Sequence, residues 1–162
     1  MFEIFGEFDS FEEINETASG LKAEGDFENI KVLAKENGID EYDAEDYIEG
    51  VYDTLCNAQT AAFGKIDIEV AELKPYEIMN DWIDYIRQQI SDYDEVARSV
   101  RKKGKSIKGC IGKLLKWSFD NAVEVDKDII KAAGVRTARV KLGIPGMGKA
   151  KEIIMEYYTK EV

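Results

Sequence analysis

Hydrophobic residues recur at helical spacing along most of the chain, and capping residues precede several of these runs. Ser10, with Glu13 three positions later, predicts the start of a first helix over residues 11–23. Asp26 and Asp40 are placed to cap a second and a third helix. The N-terminal part of the chain is therefore predicted to be helical.

The third of these helices has two faces of opposite character. Its apolar stripe consists of Ala44, Tyr47, Ile48, Val51 and Leu55. The face opposite the stripe carries the carboxylates of Glu45, Asp46, Glu49 and Asp53. Because an apolar stripe packs on the protein interior, the pattern predicts that these four carboxylates face solvent.

Residues 65–70 alternate as a half-buried strand does, and they also suit a helical turn, so both alternatives stay open. Pro75 is predicted to lie in the first turn of a longer helix, where its missing N–H is tolerated. The side of that helix opposite its apolar residues carries Glu77, Asp81 and Asp84.

A short helix capped by Asp92 is predicted to become basic at Arg98 and to end near Gly104.

Ser106 then begins the most regular of the predicted helices. Its apolar face is formed by Ile107, Cys110, Ile111, Leu114, Leu115 and Ser118. Its outer face carries Lys105, Lys113 and Lys116, interrupted by Gly109 and Gly112. Interior glycines have two interpretations. Another backbone or a ligand approaches the helix closely at these positions, or the helix tolerates the loss of stability that glycine causes.

The rest of the chain predicts a short helix between Asp126 and Gly134, a basic glycine-rich connection, and a last helix over about residues 148–158. The predicted fold class is all-α, with one ambiguous strand-like segment near residues 65–70. We expect one compact helical domain, with two lobes near residues 1–97 and 98–162 as an alternative.

The net charge of the chain changes sign between residues 1–97 and residues 98–162. Residues 1–97 contain 26 acidic and 6 basic side chains, a net charge of −20, whereas residues 98–162 contain 7 and 16, a net charge of +9. The total of −11 therefore conceals an acidic helical region, 1–97, and a basic helical region with a glycine-rich turn, 98–162. This asymmetry predicts two different electrostatic surfaces.

The composition disfavours several classes of function. The chain has no histidine, the commonest general base and a common ligand of catalytic metal sites. Cys56 and Cys110 are far apart and outside any CxxC pair, so both are predicted to be buried, reduced thiols. We predict no catalytic residue, no metal site and no cofactor.

The N-terminus lacks the features of a secretory signal, and no apolar run could span a bilayer, so a cytoplasmic protein without membrane contact is expected.

The turn over residues 143–148, Gly-Ile-Pro-Gly-Met-Gly, carries a candidate phosphate site. With Lys149 it fits part of a P-loop, although Ala150 replaces the magnesium-binding Ser or Thr. It is also similar to the hairpin of helix-hairpin-helix proteins, whose amides bind nucleic-acid phosphates. Candidate nucleic-acid or partner-binding residues are Arg101, Lys102, Lys103, Lys105, Arg136, Arg139, Lys141, Gly146, Gly148 and Lys149. The alternatives are a structural turn with solvated lysines and a basic half that balances the acidic half internally.

The acidic faces also have two interpretations. Each face alone is typical of a solvated helix. A 97-residue region with a net charge of −20 repels itself, however, which favours a surface that imitates a polyanion or docks on a basic groove. The candidate partner-binding acids are Glu45, Asp46, Glu49, Asp53, Glu77, Asp81 and Asp84.

Four segments carry a resemblance to a known family: residues 71–87, 104–111, 125–129 and 142–148. In these the chain resembles the PcfK-like proteins of conjugative and phage-derived elements, a group that includes a type II-A anti-CRISPR family. The resemblance implies a non-catalytic protein that binds and inhibits the type II CRISPR effector nuclease, alone or with its guide RNA, in a bacterial host. The alternatives are a nucleic-acid-binding accessory protein of a mobile element and a homo-oligomeric interaction module.

Overall fold

The computed structural model describes residues 3–160, which form nine helices and one two-stranded sheet. The elements are α1 (Phe11–Ala23), α2 (Phe27–Glu36), α3 (Glu41–Glu49), α4 (Ala58–Leu73), α5 (Ile78–Asp92), α6 (Asp94–Arg101), α7 (Ile107–Asp120), β1 (Val123–Glu124), α8 (Lys127–Ala132), β2 (Lys141–Leu142) and α9 (Met147–Thr159). The predicted all-α class is confirmed as a compact, mainly helical fold.

Side-chain caps start several helices where the sequence predicts them. Ser10 accepts a hydrogen bond from the amide of Glu13, and Asp26, Asp40 and Ser106 accept from amides in the first turns of α2, α3 and α7. Each cap satisfies an amide that has no partner inside its own helix. These helix starts therefore follow from local sequence.

The apolar faces assemble into two neighbouring cores. The N-terminal core is built from α1, α2, α3 and the start of α4, with Ile14, Ile30, Leu33 and Tyr47 among its buried residues. The C-terminal core is built from α4, α5, α6, α7 and α9, with Ile66, Ile86, Ile107, Leu114 and Ile154 among its buried residues. Helix α4 contributes to both cores.

The division of charge does not coincide with this division of packing. The change of sign at residue 98 falls inside α6, and α6 packs on both α4 and α5. Phe11 of α1 packs against both cores. The acidic and basic regions are therefore joined through shared helices.

One open alternative is decided by the structure, and two of the predicted details are wrong. Residues 65–70 lie inside α4 and form no strand, since Asn57 caps a helix that runs on to Leu73. Pro75 precedes α5, which begins at Ile78, because Lys74 ends α4 in the left-handed conformation and a proline commonly follows such an end. Asp92 ends α5 instead of capping α6, because the apolar stripe of α5 continues to the buried Ile90.

Two residues of the predicted apolar stripes are exposed. Gly50, with φ of 82°, ends α3, so Val51 falls outside the helix and is 61% exposed. Leu115 lies on α7 as predicted but is 56% exposed, because no element of residues 3–160 covers the end of α7 that carries it. Leu55, by contrast, reaches the N-terminal core from an irregular segment.

One of the two glycines in α7 marks a close approach. A Cβ on Gly109 would lie 2.3 Å from the hydroxyl oxygen of Tyr157, whereas a Cβ on Gly112 would meet nothing within 4 Å. The Tyr157 hydroxyl also accepts a hydrogen bond from the amide of Ser106, at 2.9 Å. The approaching group is therefore a side chain of α9, and Gly112 is a tolerated weakness of the helix.

Candidate functional site

The exposed face of α3 combines carboxylates with a tyrosine. Glu45, Asp46 and Glu49 lie on the side of α3 away from the buried Ala44. Tyr42 precedes them by three, four and seven positions, which places its ring at the centre of the same face. Tyr42 is 78% exposed. These four residues form an anionic surface around an aromatic ring, which we name the α3 face.

A lysine of α2 neutralises one edge of the α3 face. Lys31 Nζ lies 3.0 Å from Oε1 of Glu45 and 3.7 Å from Oε1 of Glu41. The hydrogen bond to Glu45 raises the pKa of Lys31. Within residues 3–160, Asp46 and Glu49 have no such salt bridge. The rest of the face therefore presents uncompensated negative charge to solvent.

Asp53 lies beyond the end of α3, in a segment that Asn15 holds in place. The side-chain amide of Asn15 donates to the carbonyl of Cys56 at 2.8 Å, and its oxygen accepts from the amide of Cys56 at 3.0 Å. Asp53 and its neighbour Tyr52 are both exposed. They line an open cleft of about 530 Å³ together with Asp43, Thr54, Leu55, Cys56, Asn57 and Thr60. The anionic surface with exposed tyrosines thus continues past α3.

The acids predicted on α5 form a separate group. Glu77, Asp81 and Asp84 are exposed along the first turns of this helix. Helix α5 packs on α4, α6 and α9, whereas α3 packs on α2. The structure therefore brings Glu45, Asp46 and Glu49 together but places the α5 acids on a different surface.

Arg101, predicted to bind nucleic acid or a partner, is buried between the two cores. It is only 1% exposed, and its guanidinium donates hydrogen bonds to the side-chain oxygen of Asn37 and to the carbonyl of Ala61. Burial lowers its pKa. Arg101 is thus enclosed by the N-terminal core and α4, and its guanidinium is not part of the protein surface.

Lys105 is also buried, although the sequence places it on an outer face. Its ammonium donates to the carbonyls of Tyr157, at 2.6 Å, and Lys160, at 3.0 Å. The reason is that Lys105 precedes the N-cap Ser106, so helical periodicity does not set its direction. Lys105 therefore ties the start of α7 to the C-terminal end of α9.

A third buried base, Lys65 of α4, was not identified from the sequence. Its ammonium donates to Oε1 of Glu7 at 3.1 Å and to the carbonyls of Lys102 and Lys105 at 3.1 and 2.7 Å. Burial lowers the pKa of Lys65, and the nearby Glu69 and Glu7 oppose that effect. The acidic partner and both carbonyls lie 37 to 58 positions away in sequence, so no local signal could reveal this site.

The other predicted basic residues are exposed but dispersed. Lys102 and Lys103 follow α6, and Arg136, Arg139 and Lys141 belong to the segment between α8 and α9. Two of the basic side chains have acidic neighbours: Arg139 Nε lies 3.2 Å from Glu124, and Lys149 Nζ lies 2.6 Å from Glu152.

The glycine turn before α9 differs from both motifs that it resembles. The short strand β2 precedes the turn and pairs antiparallel with β1. The turn is therefore preceded neither by the first helix of a helix-hairpin-helix motif nor by the parallel strand of a P-loop. Gly146 is the N-cap of α9, and Gly146 and Gly148 are exposed. Gly143 has a packing role, since its Cβ would lie 2.3 Å from the carbonyl oxygen of Ser118.

Within residues 3–160, no group of three or more His, Cys, Asp or Glu side chains is arranged to hold a metal ion. In the same range, no helix combines the length and apolar character that crossing a membrane requires. Comparisons of the chain with protein-family models, with curated proteins and with solved structures find no match.

Proposed function

We propose that this protein is a non-catalytic binding protein whose α3 face docks on a basic surface of a nucleic-acid-binding protein. The observation that carries the proposal is the position of Tyr42, 78% exposed, in the middle of Glu45, Asp46 and Glu49. Solvation of a helix face requires only polar side chains and does not explain an exposed tyrosine among the carboxylates. A surface that binds arginines and lysines can use both the carboxylates and the aromatic ring.

The chemistry of such a surface is simple. Carboxylates accept charge-assisted hydrogen bonds from guanidinium and ammonium groups. A tyrosine ring attracts the same cations through its π face, and it adds contact area at a small entropic cost. The net charge of −20 over residues 1–97 would steer a basic partner toward the region that contains α3.

The proposed partner is the effector nuclease of type II CRISPR systems, which the resemblance to PcfK-like proteins implies. Such nucleases hold nucleic acid in a positively charged channel and read a short duplex motif with arginines. A folded anionic surface with exposed tyrosines could occupy such a channel. On this proposal the protein acts in a bacterial cytoplasm as an inhibitor that competes with nucleic acid.

The experiment compares binding of the full-length protein and of charge-reversal variants to the nuclease, with and without guide RNA. Glu45→Lys with Glu49→Lys is expected to weaken binding on the order of tenfold or more, and Tyr42→Ala to weaken it less. A charge-matched control is Glu16→Lys with Glu72→Lys, because these two exposed acids undergo the same change of charge but lie on α1 and α4. Circular-dichroism melts check that each variant folds.

The control variant distinguishes docking at the α3 face from a general effect of the protein's charge. Loss of binding in the α3 variant alone supports docking at the α3 face. Equal weakening in both variants would mean that only the overall charge matters, and it would overturn the assignment to α3. Unchanged binding by the α3 variant, or no binding of the nuclease by the wild-type chain, would also contradict the proposal.

A second candidate function is nucleic-acid binding by the exposed basic residues. The observation in its favour is that Lys102, Lys103, Arg139 and Lys149 are accessible, unlike Arg101 and Lys105. An electrophoretic shift with duplex and single-stranded nucleic acid tests it directly. If Z phosphates are neutralised on a duplex, log K falls with log salt with a slope of about −0.9Z. Lys102→Glu with Lys103→Glu, or Arg139→Glu with Lys149→Glu, should then reduce both the affinity and this slope.

A further inference from the structure

Residues 3–8 precede α1 and form neither a helix nor a strand. Within residues 3–160, no hydrogen bond joins their backbone to the backbone of another element. None of their side chains is fully buried, and Phe5 and Phe8 pack only partly against the N-terminal core. The segment, which we name the strap, is therefore attached without the contacts that fix the helices.

Two carboxylates hold the strap in place. The carboxylate of Glu36, the last residue of α2, accepts hydrogen bonds from the amides of Ile4 at 2.8 Å and Phe5 at 3.1 Å. Further along the strap, Oε1 of Glu7 accepts from Nζ of Lys65 at 3.1 Å. The strap thus joins the end of α2 to the middle of α4, the helix that both cores share.

The contact made by Glu7 covers a charge that the rest of the fold encloses. The side chain of Lys65 is 2% exposed, and its other hydrogen-bond acceptors are two backbone carbonyls. Glu69, one turn further along α4, accepts instead from the amide of Ile107. Within residues 3–160, Glu7 is therefore the one carboxylate at salt-bridge distance from this ammonium.

The chain just after the strap is fixed by contacts that the strap does not share. The amide of Asp9 donates to Oε2 of Glu13, and Oδ1 of Asp9 accepts from the amide of Lys103, both at 2.8 Å. These bonds hold Asp9 at the start of α1 whether or not the strap is attached. Asp9 is therefore a natural pivot for the segment that precedes it.

Opening of the strap should cost less free energy than unfolding of either core. It breaks the two carboxylate contacts and exposes the covered parts of Phe5 and Phe8, but it unfolds no helix. Part of this cost is offset, because the buried charge of Lys65 regains hydration when water reaches it. Segments with few buried contacts commonly open at lower free energy than the whole protein.

We propose that residues 3–8 form a releasable strap that controls access to the ammonium of Lys65. The strap pivots at Asp9 while both cores stay folded, and its release exposes a cationic group that the closed form hides. In the open form the ammonium keeps its two carbonyl acceptors, and water replaces Glu7. This device goes beyond the proposed function and does not depend on it, because the strap and Lys65 are separate from the α3 face.

The first experiment measures amide hydrogen exchange and lysine acylation in the full-length protein at low concentrations of urea, with peptide mapping of each site. The amides of Ile4 and Phe5 and the side chain of Lys65 are expected to react through one opening whose rate depends little on urea. The amides of the buried helices should react only through global unfolding, which depends strongly on urea.

Gly6→Ala shifts the balance between the two forms without changing a charge. Gly6 has φ of 77°, and a Cβ there would meet nothing within 4 Å, so alanine is strained only while the strap is closed. Acylation of Lys65 should become faster on the order of tenfold. Exchange of the Lys103 amide, beyond the pivot, should stay unchanged. Circular-dichroism melts verify that the variant folds.

Gly50→Ala is the matched control for this strain. Gly50 has φ of 82° and equally open surroundings, but it ends α3. It should leave acylation of Lys65 in the absence of urea unchanged.

Glu36→Ala tests whether the strap opens as one unit. The substitution removes the acceptor of the two strap amides, so Lys65 should be acylated several-fold faster although Glu36 bonds the other end of the strap. Glu28→Ala removes the same charge from an exposed position of α2 and is expected to have no such effect.

Three results would overturn the strap. Acylation of Lys65 only at the rate of global unfolding would show that the strap does not open by itself, and acylation at the rate of an exposed lysine would show that it is not closed. Equal effects of Gly6→Ala and Gly50→Ala would assign the change to a general loss of stability. Because nuclease binding is tested through α3 variants, failure of that function would leave these results unchanged.

Discussion

Gly38 and Gly64 lie backbone against backbone where the loop after α2 crosses α4. A Cβ on Gly64 would lie 2.1 Å from the carbonyl oxygen of Asn37, and a Cβ on Gly38 would lie 2.3 Å from the carbonyl oxygen of Gly64. Neither backbone can accommodate a methyl group at such distances. This contact joins the N-terminal core to the helix that both cores share.

We predict that Gly64→Ala strongly destabilises the protein, because the added methyl group must push the α2–α3 loop away from α4. The expected loss in the free energy of unfolding is about 2 kcal/mol or more, measured by urea denaturation. Gly20→Ala is the matched control: Gly20 lies within α1, and its Cβ would meet nothing within 4 Å. The control should gain about 0.5–1 kcal/mol from helix propensity. Equal stability of Gly64→Ala and wild type would contradict the close crossing.

We predict that Lys105→Met loosens the C-terminal end of α9. The substitution removes the donor to the carbonyls of Tyr157 and Lys160, and a buried acceptor without a donor costs about 1–3 kcal/mol. Hydrogen exchange should become faster in the last turn of α9. Lys103→Met, at an exposed side chain, should leave both stability and exchange nearly unchanged. Similar behaviour of the two variants would show that Lys105 is a surface lysine after all.

A pH-dependent contribution to stability is predicted for Glu69. Burial raises the pKa of its carboxyl group, although a hydrogen bond from the amide of Ile107, at 2.8 Å, opposes this. Between the ordinary carboxyl pKa and the raised value, the folded chain keeps a proton that the unfolded chain loses. The contribution of Glu69 to stability must therefore fall as the pH rises through this window.

The measurement compares wild type with Glu69→Gln by urea denaturation from acid to neutral pH. Glutamine keeps an acceptor for Ile107 but cannot ionise. We expect the stability of the wild type, relative to this variant, to decrease as the pH rises above the carboxyl range. An increase would mean that the nearby Lys65 stabilises the carboxylate more than burial disfavours it.

We predict that both cysteine thiols are unreactive in the native protein. Burial raises the pKa of Cys56 and of Cys110 to about 12, so almost no thiolate is present near neutral pH. A thiol reagent should label each residue slowly in the native state and rapidly in urea, with peptide mapping to separate the two sites. The same shift makes stability fall as the pH rises from the ordinary thiol pKa toward 12. Rapid native labelling of Cys110 would show that α7 opens readily.

The sequence by itself determined the elements whose signals are local. Ser10, Asp26, Asp40 and Ser106 each bond an amide two or three residues ahead, so a reader of the sequence can place those helix starts. Periodicity likewise predicted that Glu45, Asp46, Glu49 and Asp53 lie opposite the apolar stripe of α3, although Asp53 falls beyond the end of this helix. The presence of Tyr42 on that face could have been read from the same spacing, since it lies three and four positions before two of them.

Only the tertiary structure decided which charged residues are buried and which apolar residues are left uncovered. Arginine and lysine side chains are usually exposed, and sequence patterns alone predict that Arg101, Lys105 and Lys65 face water. In the fold they are buried, because their hydrogen-bond partners lie 37 to 64 positions away in the chain and enclose them. Leu115 belongs to the predicted apolar stripe of α7, yet it is 56% exposed, because its side of the helix is left uncovered within residues 3–160. Burial is a property of the assembled helices, whereas capping and periodicity are properties of neighbouring residues. For that reason the sequence specified the helices but not which of their charged and apolar side chains are buried.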